Sequence, residues 1–207
     1  MQMKKRGFTL IELSVVLIII GLIIGGVMKG KDLINSADQK KVYNTWIKQW
    51  QATFNAYQDK TGNILGDGKA NGGRRATTDG KCDNVRLDNS KKVQDILKAM
   101  GLDVPTSNIA KSNGGAYTIK GKYTSNYARA YLYWLYSHTD RIYKNRLYIT
   151  GMPTDVAIAF DTMTDGQMNP SAGAFRRYPD NAKGVGGKST AWPDASKTKT
   201  VNVSLEL

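Results

Sequence analysis

The first thirty residues hold the side chains whose types and spacing most suggest chemistry. Lys4, Lys5, Arg6 and Gly7 stand directly before an apolar run, and from Phe8 to Met28 the only ionisable side chain is Glu12. A secretory signal carries its small-residue cleavage site after its apolar stretch. In this chain the bond suited to processing, Gly7–Phe8, lies before it, so the apolar segment survives hydrolysis and keeps structural work. Cleavage there creates an α-amino group at Phe8, about one helical turn from the Glu12 carboxylate. A carboxylate within a spanning helix is expensive and calls for a partner. The plainer reading is a Glu that snorkels to the interface from near the helix end.

Other titratable groups point less sharply. His138 is the only histidine and has neither a nucleophile motif nor metal-ligand spacing around it. Cys82 is the only cysteine, so an intramolecular disulfide is impossible and the thiol is buried, free or paired with another chain. The chain contains no phosphate loop, metal cluster or paired-carboxylate constellation, and an enzyme is not expected. The formal charge is +13; without the three cations before Phe8, 27 basic side chains face 17 acidic ones, a net +10. Such an excess suits DNA, anionic lipid or an acidic partner, and equally serves solubility. Arg129, Arg141, Lys144, Arg146, Arg176 and Arg177 mingle with Tyr127, Tyr131, Tyr133, Tyr143, Tyr148 and Tyr178, a mixture that suits nucleic acid. Tyrosines at strand spacing more often mark a sheet surface or a subunit contact, and nucleic acid is not the expected partner.

The elements that must carry these groups follow from periodicity. The 21 residues from Phe8 to Met28 are long enough to cross a bilayer as a helix, and the flanking cations put the N-terminus in the cytoplasm. Tyr43, Trp46, Ile47, Trp50, Phe54 and Tyr57 then recur at spacings of three and four. One helix from Phe8 to about Asp59 is predicted, apolar all round in its first half and amphipathic in its second, with Gly62 as its terminator. Gly25, Gly26 and Gly30 could soften it, since each costs about 1 kcal/mol relative to Ala. Residues 61–89 read as a long Gly- and Asn-rich loop, long enough to suggest a functional or assembly role. A short helix follows, capped by Asn89 or Ser90 and ended by Gly101. Strands are predicted at Ala116–Tyr123, Ala128–Tyr136, Arg146–Thr150, Val156–Phe160 and Val201–Leu205. The fold class is α+β: a long N-terminal helix packed by its second half on an antiparallel sheet of four or five strands.

The segment Lys4-Lys5-Arg6-Gly7-Phe8-Thr9-Leu10-Ile11-Glu12, continued through Gly21, resembles the class III leader of bacterial type IV pilins and type II secretion pseudopilins. The resemblance covers roughly the first thirty residues. It implies a leader at 1–7, a transmembrane and assembly helix at 8–28, its amphipathic continuation at 29–60 and a periplasmic loop and β-sheet head at 61–207. It also implies cleavage after Gly7 by a prepilin peptidase, N-methylation of Phe8, and polymerisation with other pilin-like subunits through inner-membrane assembly machinery. In such filaments the carboxylate corresponding to Glu12 is thought to meet a neighbouring subunit's N-terminal amine. The expected location is the inner membrane, single-pass with the head periplasmic, and then a periplasmic or extracellular filament. Residues Asp161 to Gly173 are similar to the Asp-rich turn after the sheet of many pseudopilins, some of which bind calcium; Asp161, Asp165 and Asn169 offer oxygens for such a cation. An Asx-turn explains the segment equally well, and no cofactor is the default. The rivals are a minor tip pilin that captures DNA through Arg176 and Arg177, and a monomeric single-pass membrane protein. Beyond the apolar segment, the chain from about Lys31 onward is expected to be a soluble monomer.

Overall fold

The computed structural model describes residues 9–178 and 191–207. It divides into two compact units, one up to Asp38 and one from Gln39 to Leu207.

From Leu10 onward the first unit is part of helix α1 (Leu10–Val42), none of whose residues is buried. The helix runs through Gly25, Gly26 and Gly30 without a break, so the expected softening does not interrupt it. No proline removes a backbone donor anywhere in this segment.

In the second unit a π-helical turn (Tyr43–Ile47) leads into α2 (Lys48–Thr61). The α2 helix ends two residues beyond the predicted Asp59, at Gly62, which takes the left-handed conformation (φ 70°) and donates its N–H to the Gln58 carbonyl. After the 61–89 loop, which contains the short β1 (Val85–Arg86), comes α3 (Lys91–Ala99). The Ser90 hydroxyl caps α3 by accepting from Val93 N–H. Then follow β2 (Ala116–Lys120), β3 (Ser125–Ser137), β4 (Ile142–Pro153), α4 (Thr154–Asp165), β5 (Phe175–Tyr178) and β6 (Thr200–Glu206). All strand pairs are antiparallel. The sheet has the order β1-β3-β4-β6-β5, with β2 also pairing β3.

Two expectations need correction. Val156–Phe160 is helix, not strand. A short apolar run such as Val-Ala-Ile-Ala-Phe fits either period; here Val156, Ala157 and Phe160 are fully buried at helical spacing, and Asp155 sits in the first turn, where the helix dipole favours it. Among the described residues the sheet has six strands, because β1 and β5 went unpredicted. The β2 arm stops at Lys120 rather than Tyr123.

The core lies between α2 with its π turn and one sheet face. Trp46, Trp50, Phe54 and Tyr57 meet the inward residues of three central strands, among them Ala130, Leu132, Leu147, Ile149, Val203 and Leu205. Both indole N–H groups, of Trp46 and Trp50, donate to the Gly114 carbonyl at 2.8 Å. Only glycine fits the pair beneath them. A Cβ on Gly114 would lie 2.1 Å from the Pro105 oxygen, and one on Gly115 would lie 2.1 Å from Asp88 N.

The 61–89 loop is folded around two buried aspartates. One Asp83 carboxylate oxygen accepts from the backbone N–H groups of Gly68, Arg74 and Arg75. Asp67 accepts from those of Asp79 and Gly80. Buried backbone donors need partners, and these carboxylates supply them where no regular ladder does.

Candidate functional site

Helix α1 begins with a reciprocal cap. The Glu12 carboxylate accepts from Thr9 N–H and Thr9 Oγ1, both at 2.8 Å, and Glu12 N–H donates to Thr9 Oγ1 at 3.3 Å. Thr-x-x-Glu at a helix start is a capping box, a pattern present in the sequence beside the isolated charge. It fixes the carboxylate at the first turn, where the four orphan N–H groups and the positive end of the dipole stand. Glu12 is therefore directed towards the end of the helix that adjoins Gly7 and Phe8; those two residues lie outside the described ones.

Around that carboxylate the helix is apolar and bare. Leu10 is 91% exposed, and Ile11, Leu22 and Ile23 are likewise open. The helical stretch Leu10–Thr61 contains a segment long and apolar enough to cross a membrane. An apolar surface of this extent in water needs a cover, and lipid or other helices are the two covers available to it.

The three candidate calcium residues fall together, but in other roles. Asp161 and Asp165 are one turn apart on α4, not in a turn after a strand. Asp161 is fully buried; one of its oxygens accepts from Asn169 N–H at 2.7 Å and Trp192 Nε1 at 2.8 Å. Asp165 accepts from Ala174 and Phe175 N–H, each at 2.9 Å, and Asn169 Oδ1 accepts from Ser171 N–H. Burial pushes the Asp161 carboxyl above its ordinary range and the nearby Asp165 adds to this, while the Trp192 and Asn169 donors oppose it. Calcium wants six to eight oxygens. Here Asp165 and Asn169 are committed to backbone donors, and among the described residues no group of three His, Cys, Asp or Glu side chains is placed to hold a metal. Three residues, two of them already accepting from backbone donors, fall short of that number of oxygens.

Nor do the basic residues make one patch. The Arg176 side chain is 5% exposed and pairs with Asp140 at 3.0 Å while donating to the Gly173 carbonyl. Such a guanidinium has no reach to a phosphate, so Arg176 is removed from the DNA alternative. Its neighbour Arg177 donates its backbone N–H to the Pro170 carbonyl and is half-buried. Arg146 is fully buried, held by Glu206 and the Ala174 carbonyl. Cys82 is buried and free; burial, with Asp67 and Asp83 close by, pushes its thiol far up and leaves it a poor nucleophile. His138 is exposed at the end of β3, edge-on to Tyr136.

The chain was compared with known families, curated proteins and solved structures. Residues 2–28 match the family model of the prokaryotic N-terminal methylation motif. Neither the curated proteins nor the solved structures gave a match. The matched segment takes in the cations, Gly7, Phe8, the capping box and the bare apolar helix up to Met28. It follows that this α+β chain carries the class III prepilin-type leader of type IV pilins and pseudopilins.

Proposed function

We propose that the chain is a structural subunit of a type IV pilus or type II secretion pseudopilus. Prepilin peptidase cuts after Gly7, Phe8 is N-methylated, and the mature subunit waits in the inner membrane with its head in the periplasm. Inner-membrane assembly machinery then draws it into a helical filament with itself and other pilin-like subunits. Head-to-tail contacts that do not close generate such polymers. The observation that carries this reading is the bare apolar α1 with one carboxylate fixed at its first turn, inside a matched methylation motif.

The mechanism follows from the environment of Glu12. In lipid the carboxylate is costly; beside a neighbour's α-ammonium in a packed apolar bundle it gains a charge-assisted partner. Glu12 therefore makes polymerisation preferable to staying in the membrane and fixes the axial step between subunits. Glu12→Val should keep membrane insertion, which loss of a charge favours, and should abolish or strongly reduce filament incorporation. Intact-mass analysis of the membrane-extracted protein checks processing, and sheared-filament yield checks assembly. A mass that still includes residues 1–7 in peptidase-competent cells, or normal filament yield from Glu12→Val, would defeat the reading.

A further inference from the structure

The β3–β4 hairpin carries an aromatic row that the core does not use. On the inward face of β3, Leu132 is fully buried, but Trp134 and Tyr136, next on that face, are only half-buried. Trp134 stacks on Tyr143 with ring centroids 6.0 Å apart and planes within 12°. Tyr143, 54% exposed, is 5.0 Å from Tyr136, and Tyr136 is 5.1 Å from the exposed His138. From Trp134 to His138 the row extends about 13 Å at the usual rise of a strand.

One end of the row opens into a cleft of about 560 Å³ between Trp134 and the 61–89 loop, lined also by Tyr133, Arg74, Arg75, Lys81 and Asn84. Clefts of this size hold small ligands. Its wall is built in advance. Asp83 fixes the backbone N–H groups of Arg74 and Arg75, and Asn145 on β4 ties the loop down by accepting from Cys82 N–H and donating to the Gly80 carbonyl.

The cations decide the ligand. Arg75 and Lys81 are already paired with Asp79, and Lys144 with Glu206. Arg74 in the cleft and Arg141 in the hairpin turn make no ion pair among the described residues. A nucleic-acid strand presents one phosphate for every base and needs cations at that density. Two open guanidiniums, Arg74 in the cleft that Trp134 lines and Arg141 in the turn that also holds His138, match a chain whose negative charges are sparse. Sugar rings present C–H faces that lie on aromatic rings, hydroxyls that suit Asn84, and, in uronic acids, carboxylates that an Arg fork grips.

We infer that the cleft and the Trp134–Tyr143–Tyr136 row together form a binding site for a short acidic glycan with a carboxylate on about every second ring. The rings lie along the aromatic row, and the carboxylates meet Arg74 and Arg141. The site would give a filament subunit a means of adhering to a polysaccharide surface.

The test uses the full chain in a polyoxyethylene detergent, free of sugar headgroups, and isothermal titration calorimetry with three probes. Hyaluronan tetrasaccharide has four rings and two carboxylates, fully N-acetylated chitotetraose has four rings and no charge, and dT4 has a phosphate chain. The expected order is hyaluronan tetrasaccharide first, with chitotetraose and dT4 each several-fold weaker. Tyr143→Ala should weaken the hyaluronan probe about tenfold, the loss that removing a stacking ring brings. Arg74→Ala, at an exposed side chain that the core does not need, should weaken it several-fold and leave chitotetraose unchanged. No measurable binding of the hyaluronan probe would overturn the proposal. So would equal binding of the neutral probe, tighter binding of dT4, or unchanged binding by Arg74→Ala.

Discussion

Trp50 and Asp161 show how single side chains set the behaviour of the head. The Trp50 ring is 1% exposed and its N–H reaches the Gly114 carbonyl. Trp50→Ala should cost about 3–5 kcal/mol, whereas Trp50→Phe keeps most of the volume and loses one hydrogen bond, about 1 kcal/mol. Urea unfolding of a fragment from Lys31 onward measures both, and an unchanged midpoint for the Ala variant would place the ring outside the core. Asp161 acts through pH. Its folded carboxyl titrates above the unfolded 3.8, chiefly from burial, so the native fold binds the proton more tightly. The stability this gives is complete below the unfolded value and is lost as pH rises through the folded one. Asp161→Asn keeps an oxygen for Trp192 and Asn169 and buries no charge. The variant should melt a few degrees above wild type at pH 7, with the gap closing towards pH 4. A variant that melts lower than wild type at pH 7 would show that the ionised carboxylate is needed there.

Strand β6 is tied to β4 by charge as well as by its ladder. Glu206 reaches Lys144 at 2.6 Å and Arg146 at 3.2 Å. Burial, and then the proximity of Arg176, pull Arg146 down to about 10 while Glu206 and Asp140 oppose the shift, so these carboxylates offset part of the cost of burying its charge. Glu206→Gln should destabilise the head by about 2–3 kcal/mol, below the range for a fully buried pair because Glu206 is partly exposed. Adding Arg146→Met should restore part of the loss, and urea midpoints of the single and double variants decide it; additive losses would mean that the pair is uncoupled. This network also shows what the sequence could not reveal. The α2 stripe of Trp46, Trp50, Phe54 and Tyr57 and the alternation of Val201, Val203 and Leu205 were legible because one period repeats against one buried face. Strand β5, Phe-Arg-Arg-Tyr, was not legible, because its buried Arg176 needs, besides the nearby Gly173 carbonyl, Asp140 and Ser137, some forty residues away. The π turn was equally hidden, since Trp46 and Ile47 satisfy an ordinary helical stripe as well. Glu12 could be found by its isolation in an apolar run, while the Asp161–Asp165 pairing depends on α4 being helical, the one element whose type was misread.

For the molecule as a whole, net charge is the feature that most invites a second function. Residues 61–207 carry 21 basic and 13 acidic side chains, a net +8. The structure disperses that excess. Arg75, Lys81, Arg86, Arg129, Lys144, Arg146 and Arg176 each have an acidic partner within 4 Å. A cation already paired releases little from the ion atmosphere of DNA, and affinity for a duplex falls with salt in proportion to the phosphates neutralised. Duplex DNA should therefore bind the head weakly at low salt and lose nearly all affinity at physiological salt, as diffuse charge does with constants of about 10⁻⁴–10⁻⁶ M. Fluorescence anisotropy with a labelled duplex at two salt concentrations measures this. Arg176→Ala is a poor probe, because removing a buried partner of Asp140 disturbs folding first. Arg74→Ala together with Lys91→Ala and Lys92→Ala removes exposed cations and should flatten the residual salt dependence. Submicromolar binding that persists at physiological salt and falls in that triple variant would make the head a DNA-capturing surface; binding confined to low salt leaves its charge as a device for solubility and for choosing sparsely charged partners.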